Sequence, residues 1–273
     1  MVAKMHRLHL PKIGEGVIYL PSGVPFEADE PPKYPAGSYV RLGNKEFIYA
    51  IAGDTLNPDM GAMNSYKQKV VRVGCVLDPV TGENVAAGSM VVGVAIVTGS
   101  GLAYLAYEEG VEEDEFKGGQ FIGFPGDKTF TRGIVGNTAL AKETEGSVYF
   151  TLDSPIPVGI TADKWCEAIR NPYGAVKNSQ GKFAMVMGMP TVVATKGQGL
   201  WLQVSGPGWA APDLDVGKLA NNQEVVFVYN GSINLRSATH AGDSCADCQH
   251  AGVCIALADG EQGSMMIMLQ IAH

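Results

Sequence analysis

The sequence has 273 residues and a formal charge of −8, from 20 basic and 28 acidic side chains. That length allows one or two domains, each with a core that needs no disulfide or metal to hold it. Glycine (35) and proline (15) are abundant, charged residues are sparse at 18%, and the acidic balance excludes an electrostatic nucleic-acid binder, which needs a basic footprint.

Residues 1–37 read as an extended N-terminal arm with at most one strand, VIYL at 17–20. Five prolines between Pro21 and Pro35 remove hydrogen-bond donors and favour extended chain. The arm is either a loose tail or a segment that docks on a neighbouring subunit. Its first residues include a few basic side chains but no apolar region of the secretory-signal kind. No run of about 18 apolar residues marks a transmembrane helix anywhere in the chain.

From residue 39 onward, short apolar and β-branched runs alternate with Gly, Pro, Asn and Asp. They include YVRL (39–42), EFIYAIA (46–52), KVVRVGCVL (69–77), MVVGVAIV (90–97), LAYLAY (102–107), QFIGF (120–124) and FTRGIV (130–135). SVYFTL (147–152), FAMVMGM (183–189), LWLQV (200–204), EVVFVY (224–229), VCIALA (253–258) and MMIMLQI (265–271) come after them. This spacing predicts an all-β, antiparallel sandwich or barrel, either jelly-roll-like or built as two related barrel halves. One short helix is expected over 161–170. Thr161 can cap it, Asp163 sits in its first turn, Trp165 and Ile169 share a face, and Asn171-Pro172 stops it.

An internal similarity links 91–110 with 186–206, and more loosely 252–269. Each has an apolar run around a glycine and then a glycine-rich turn. It suggests a first β half over 38–153 and a second over 154–273, unless the two form one continuous domain.

Few motifs point to chemistry. Gly242-Asp243-Ser244 lacks the following glycines of a trypsin-like nucleophile motif and reads as a loop turn. The glycine pairs match neither a phosphate loop nor a dinucleotide fingerprint. The segment 240–254 gathers His240, Cys245, Cys248, His250 and Cys254. Thiolates and imidazoles at that density suit a structural tetrahedral zinc, although the spacing between ligand pairs is irregular; the other reading is a loop of reduced thiols. The odd count of five cysteines fits synthesis in a reducing compartment. Six acids in 108–116 lack EF-hand spacing and read as a solvated loop. Trp201, Gln203, Trp209 and Tyr104 are the candidate contact residues. An exposed Trp beside Gln suits a sugar or a subunit, and a buried Trp suits an inter-sheet core. The methionines of MGM (187–189) and SMMIML (264–269) suit flexible core or subunit contact.

Four segments together carry a likeness to a known family. They are EFIYAIAGDTLNPDMGAMN (46–64), VYFTLDSPIPVGITADKWCEAIRNPYG (148–174), LWLQVSGPG (200–208) and VCIALADGEQGSMMIMLQI (253–271). In these turn and strand patterns the chain resembles the capsid cement, or decoration, proteins of tailed bacteriophages. The resemblance implies a non-enzymatic virion protein made in the bacterial cytoplasm and placed on the outer capsid surface. It further implies a homo-oligomer, often a trimer, that binds the major capsid protein, with no catalytic residues, cofactor, nucleic acid or membrane contact. The proline-rich arm and the Cys/His segment depart from the family pattern. Two other readings stand beside it: another phage structural component, such as a tail, head-fibre or baseplate protein, and a β-sandwich sugar-binding module.

Overall fold

The computed structural model describes residues 6–9, 17–20, 27–64, 70–73, 76–77, 84–96, 104–126, 128–161, 163–178, 184–213, 216, 224–237, 239–240, 243–244, 248–255 and 265–271. In chain order the strands begin with β1 (His6–His9), β2 (Val17–Leu20), β3 (Tyr39–Leu42), β4 (Lys45–Ile51), β5 (Ala62–Asn64), β6 (Val70–Val73), β7 (Val76–Leu77) and β8 (Val91–Ile96). After the helix α1 (Tyr104–Glu109) come β9 (Gln120–Phe124), β10 (Phe130–Asn137), β11 (Gly146–Leu152), β12 (Trp165–Ile169), β13 (Met185–Pro190) and β14 (Gly199–Ala210). The last are β15 (Glu224–Phe227), β16 (Ile233–Leu235), β17 (Thr239–His240), β18 (Asp243–Ser244), β19 (His250–Cys254) and β20 (Met265–Gln270). The fold is all-β, and the pairings between these strands are antiparallel, as the alternating runs lead one to expect.

The chain divides into two compact units. Unit 2 is residues 67–171, and unit 1 is residues 1–66 together with 172–273. The boundary expected near 153–160 therefore falls inside unit 2, and the two similar segments do not mark two halves. In the first, β8 leads toward a helix; in the second, β13 leads to another strand, β14. A shared glycine-turn grammar does not fix the type of the next element.

Unit 1 holds an eleven-stranded sheet in the order β16-β15-β19-β20-β14-β4-β3-β1-β2, with β13 pairing both β14 and β5. The expected arm with at most one strand instead carries two. β1 and β2 form a hairpin at the end of this sheet, joined to β3 through the pair His9↔Tyr39. The twelve-residue strand β14 is the spine. It pairs β4 along Gly199–Ser205 and β20 along Ser205–Ala210. Period-two alternation sends Leu200, Leu202, Val204 and Ala210 to one face, where they join buried clusters with Ile48, Ile267 and Leu269. Trp201 goes to the other face.

Unit 2 is a sheet in the order β6-β12-β9-β10-β11-β8-β7. Its two end strands are consecutive in the chain, with Val73 and Val76 separated only by residues 74–75. Two residues span less than about 11 Å, so the sheet curls to bring the chain ends of β6 and β7 near each other. One buried cluster fills the interior, drawing Val92 and Val94 from β8, Phe121 from β9, Phe130 and Ile134 from β10, Phe150 from β11 and Cys166 from β12.

Two elements exchange places relative to expectation. The helix expected over 161–170 is a turn followed by β12. Lys164 N donates to Thr161 O at 3.0 Å, and Cys166 and Ala168 then point into the core. An i, i+4 pair such as Trp165 and Ile169 shares a face in a strand as well as in a helix, so that signal did not discriminate. The expected strand at 102–107 is largely α1. Leu and Ala favour helix, and Gly110 ends it at φ +70°, where an added Cβ would lie 2.7 Å from Lys142 N.

Candidate functional site: an apolar face on the β14–β20–β19 sheet

Strand β14 presents its outward face in two parts. At its start, Trp201 is 1% exposed and packs against Tyr49 and Tyr34, with ring centroids 5.1 and 5.5 Å away. The segment 29–38 closes over this end. Asp29 pairs with Gly199 through two backbone hydrogen bonds of 2.7 and 2.9 Å. Tyr49 Oη donates to Asp29 Oδ2 at 3.0 Å and accepts from Lys33 N at 3.0 Å, while Lys33 Nζ forms an ion pair with Asp29. Gly199 is obligatory here, because a Cβ would lie 1.9 Å from Tyr49 Oη. Burial and the bond to Asp29 push the Tyr49 hydroxyl well above the ordinary tyrosine range, and the carboxylate beside it raises Lys33. Among the described residues, the indole Nε1 of Trp201 is buried with no hydrogen-bond partner. Trp201 is thus a core residue rather than a surface one.

Gln203, also placed among the candidate contacts, is buried too. Its Nε2 lies 3.2, 3.1 and 2.9 Å from the carbonyl oxygens of Ser205, Gly206 and Pro207. It stitches the irregularity where the β4 register shifts between Gln203 and Ser205. The amide therefore sets the path of the chain into the second half of β14 and does not meet a partner itself.

Beyond this stitch the same face is open. Trp209 is 55% exposed and lies opposite Met266 of β20. Ile255, 48% exposed, donates its N–H to Met266 O at 2.9 Å, which places it in the same row. In the next row Pro207 lies opposite Met268, and Met268 opposite Val253, which is 37% exposed. Met266 and Met268 are half-buried, whereas their neighbours Met265, Ile267 and Leu269 point into the core. Three strands thus set Trp, Pro, Met, Val and Ile side chains across two adjacent rows. The Met-rich closing strand divides its methionines between core and surface.

Among the described residues of this face, the charges stand at the rim. Glu224, opposite Val253, takes Arg236 Nη1 at 2.7 Å and His250 Nδ1 at 3.2 Å on its Oε1. The Arg236 guanidinium, and secondarily His250, hold the Glu224 carboxyl below the usual carboxylate range. His250 Nε2 lies 3.2 Å from Gln270 Oε1. These groups pair with one another, so the apolar rows have no unpaired charge from this cluster.

Among the described residues, the structure does not bring Cys248, His250 and Cys254 together. Cys254 lies in the core cluster with Val225 and Ile267, and burial pushes its thiol up. Cys248 packs with Val226 and Val228. Val225 and Val226 alternate along β15, so the two thiols sit on opposite faces of the sheet. His250 is engaged with Glu224 and Gln270, His240 stands opposite Asp243 in the β17–β18 pair, and Cys245 lies outside the described residues. Among the described residues no group of three or more His, Cys, Asp and Glu is placed to hold a metal ion. Tyr104 opens α1, and its side chain lies outside the described residues.

Trp209 is a sequence candidate as an aromatic near a hairpin, whereas Met266, Met268, Val253 and Ile255 come to the same face only through inter-strand register. Among the described residues no helix is long and apolar enough to cross a membrane. No protein-family model, curated protein or solved structure matches the chain.

Proposed function

We propose that this chain is a non-enzymatic structural protein that decorates and cements the outer surface of a tailed-bacteriophage head. In this reading it binds the major capsid protein as a homo-oligomer, a trimer being the expected state. The observation that carries the reading is the open Trp209 face. Apolar side chains at intermediate exposure, fixed in two rows by three hydrogen-bonded strands, suit pressing against another protein. The sparse charge of the chain and the likeness of its strand and turn segments to cement proteins support the same reading.

The face suits a sugar less well. Stacking lectin sites combine an aromatic ring with convergent polar groups, and the row neighbours of Trp209 are Met266 and Ile255. No cofactor enters this reading. Its test is co-sedimentation of the purified chain with expanded heads that lack it. Saturable binding that raises the temperature at which the heads release DNA is expected; heads that sediment without the chain would contradict the reading.

A further inference from the structure

We propose that the Trp209 face is the surface applied to the capsid shell and not the contact that joins copies of this chain to one another. The inference rests on the shell-decorating reading and assigns one side of it. Area decides between the two contacts. A fully covered aromatic side chain buries about 150–250 Å². With Trp209, Ile255 and Val253 at 55%, 48% and 37% exposure and Met266, Met268 and Pro207 half-buried, the described residues of the face offer roughly 300–400 Å² of apolar surface on that scale. A stable pair of proteins takes about 800 Å² from each side. A lone partner, including a second copy, would be held weakly there. A partner that repeats the same contact many times is held firmly, because each further contact of a linked array forms at high effective concentration.

The chemistry of the face narrows the partner. Glu224 is compensated within the chain by Arg236 and His250, so docking buries no unpaired charge from that cluster and calls for a neutral, apolar counterpart. Met266 and Met268 are unbranched and can repack. That suits a shell whose subunits occupy slightly different environments.

The experiment uses the full-length chain and its Trp209→Ala and Ile255→Ser variants, both at exposed positions. Unfolding midpoints are measured first. Sedimentation velocity then gives the oligomeric state, and titration onto expanded heads lacking the protein gives the apparent affinity. The expected result is an unchanged oligomer and at least a tenfold loss of head affinity in each variant. Variants that bind heads as the parent does, or that dissociate into smaller oligomers, would overturn the assignment while leaving the decorating function standing. A parent chain that does not bind heads would overturn the function and the assignment with it.

Discussion

Tyr49 is where one side chain ties sheet and arm together. Its hydroxyl bridges Asp29 and the backbone of Lys33, under a lid formed by Tyr34 and beside Trp201. Removing the hydroxyl leaves the buried Asp29 carboxylate short of a donor, so Tyr49→Phe should cost about 1–3 kcal/mol in urea unfolding at neutral pH. The same residue sets an alkaline dependence. Because the folded-state pKa is raised, the native protein keeps this proton where the unfolded chain has lost it. The stabilisation is complete below the unfolded value of about 10 and is lost as pH rises above it. Stability measured at pH 8 and at about pH 11 should fall more in the parent than in Tyr49→Phe. Equal slopes would show that Tyr49 is not the group responsible.

At the scale of elements, the acidic turn after α1 is anchored by one buried amide. Asn137 Oδ1 accepts from Phe116 N at 2.8 Å, and its Nδ2 donates to Glu112 O at 2.9 Å and Thr138 O at 3.1 Å. Arg170 Nη1 reaches Glu115 Oε1 at 3.0 Å, and Lys117 Nζ reaches Asp114 Oδ2 at 2.9 Å. The expected solvated loop is therefore a tied-down turn with Glu112, Glu113 and Asp114 exposed. Asn137→Ala should destabilise by about 2–3 kcal/mol, since it strands a buried N–H and two carbonyls. Faster hydrogen exchange at residues 112–117 would localise the effect, whereas unchanged exchange would show that the turn holds without the amide.

Element type was legible where alternation was long and unambiguous. SVYFTL and LWLQV became β11 and the start of β14, with the facing that alternation implies. It was not legible where one spacing serves two geometries, as with Trp165 and Ile169, or where Leu and Ala made a helix of an apolar run. The candidate site was half legible. Local alternation could place Trp201 and Gln203 on one face of a strand. The burial of Trp201 depends on Asp29 and Tyr34, some 170 residues earlier. The rows around Trp209 likewise depend on register between β14, β20 and β19, which no local pattern encodes.

For the whole molecule, the division at residues 66/67 and 171/172 makes unit 2 a continuous segment inserted into a discontinuous unit 1. Unit 2 has its own core and its own curled seven-stranded sheet. Residues 67–171 expressed alone should therefore unfold cooperatively in urea with a folded near-ultraviolet spectrum. A non-cooperative transition would mean that this core needs unit 1. The open Trp209 face belongs to unit 1, so that segment alone should also fail to bind heads.

The most direct test of the decorating function is a cryo-electron microscopy map of the particle encoded with this chain. Ordered density for the chain is predicted on the outer surface of the head, repeated at symmetry-related positions across the shell, with the β14–β20–β19 face turned toward the capsid subunits. Density confined to the tail or baseplate, or a head surface that carries none of the chain, would contradict that function.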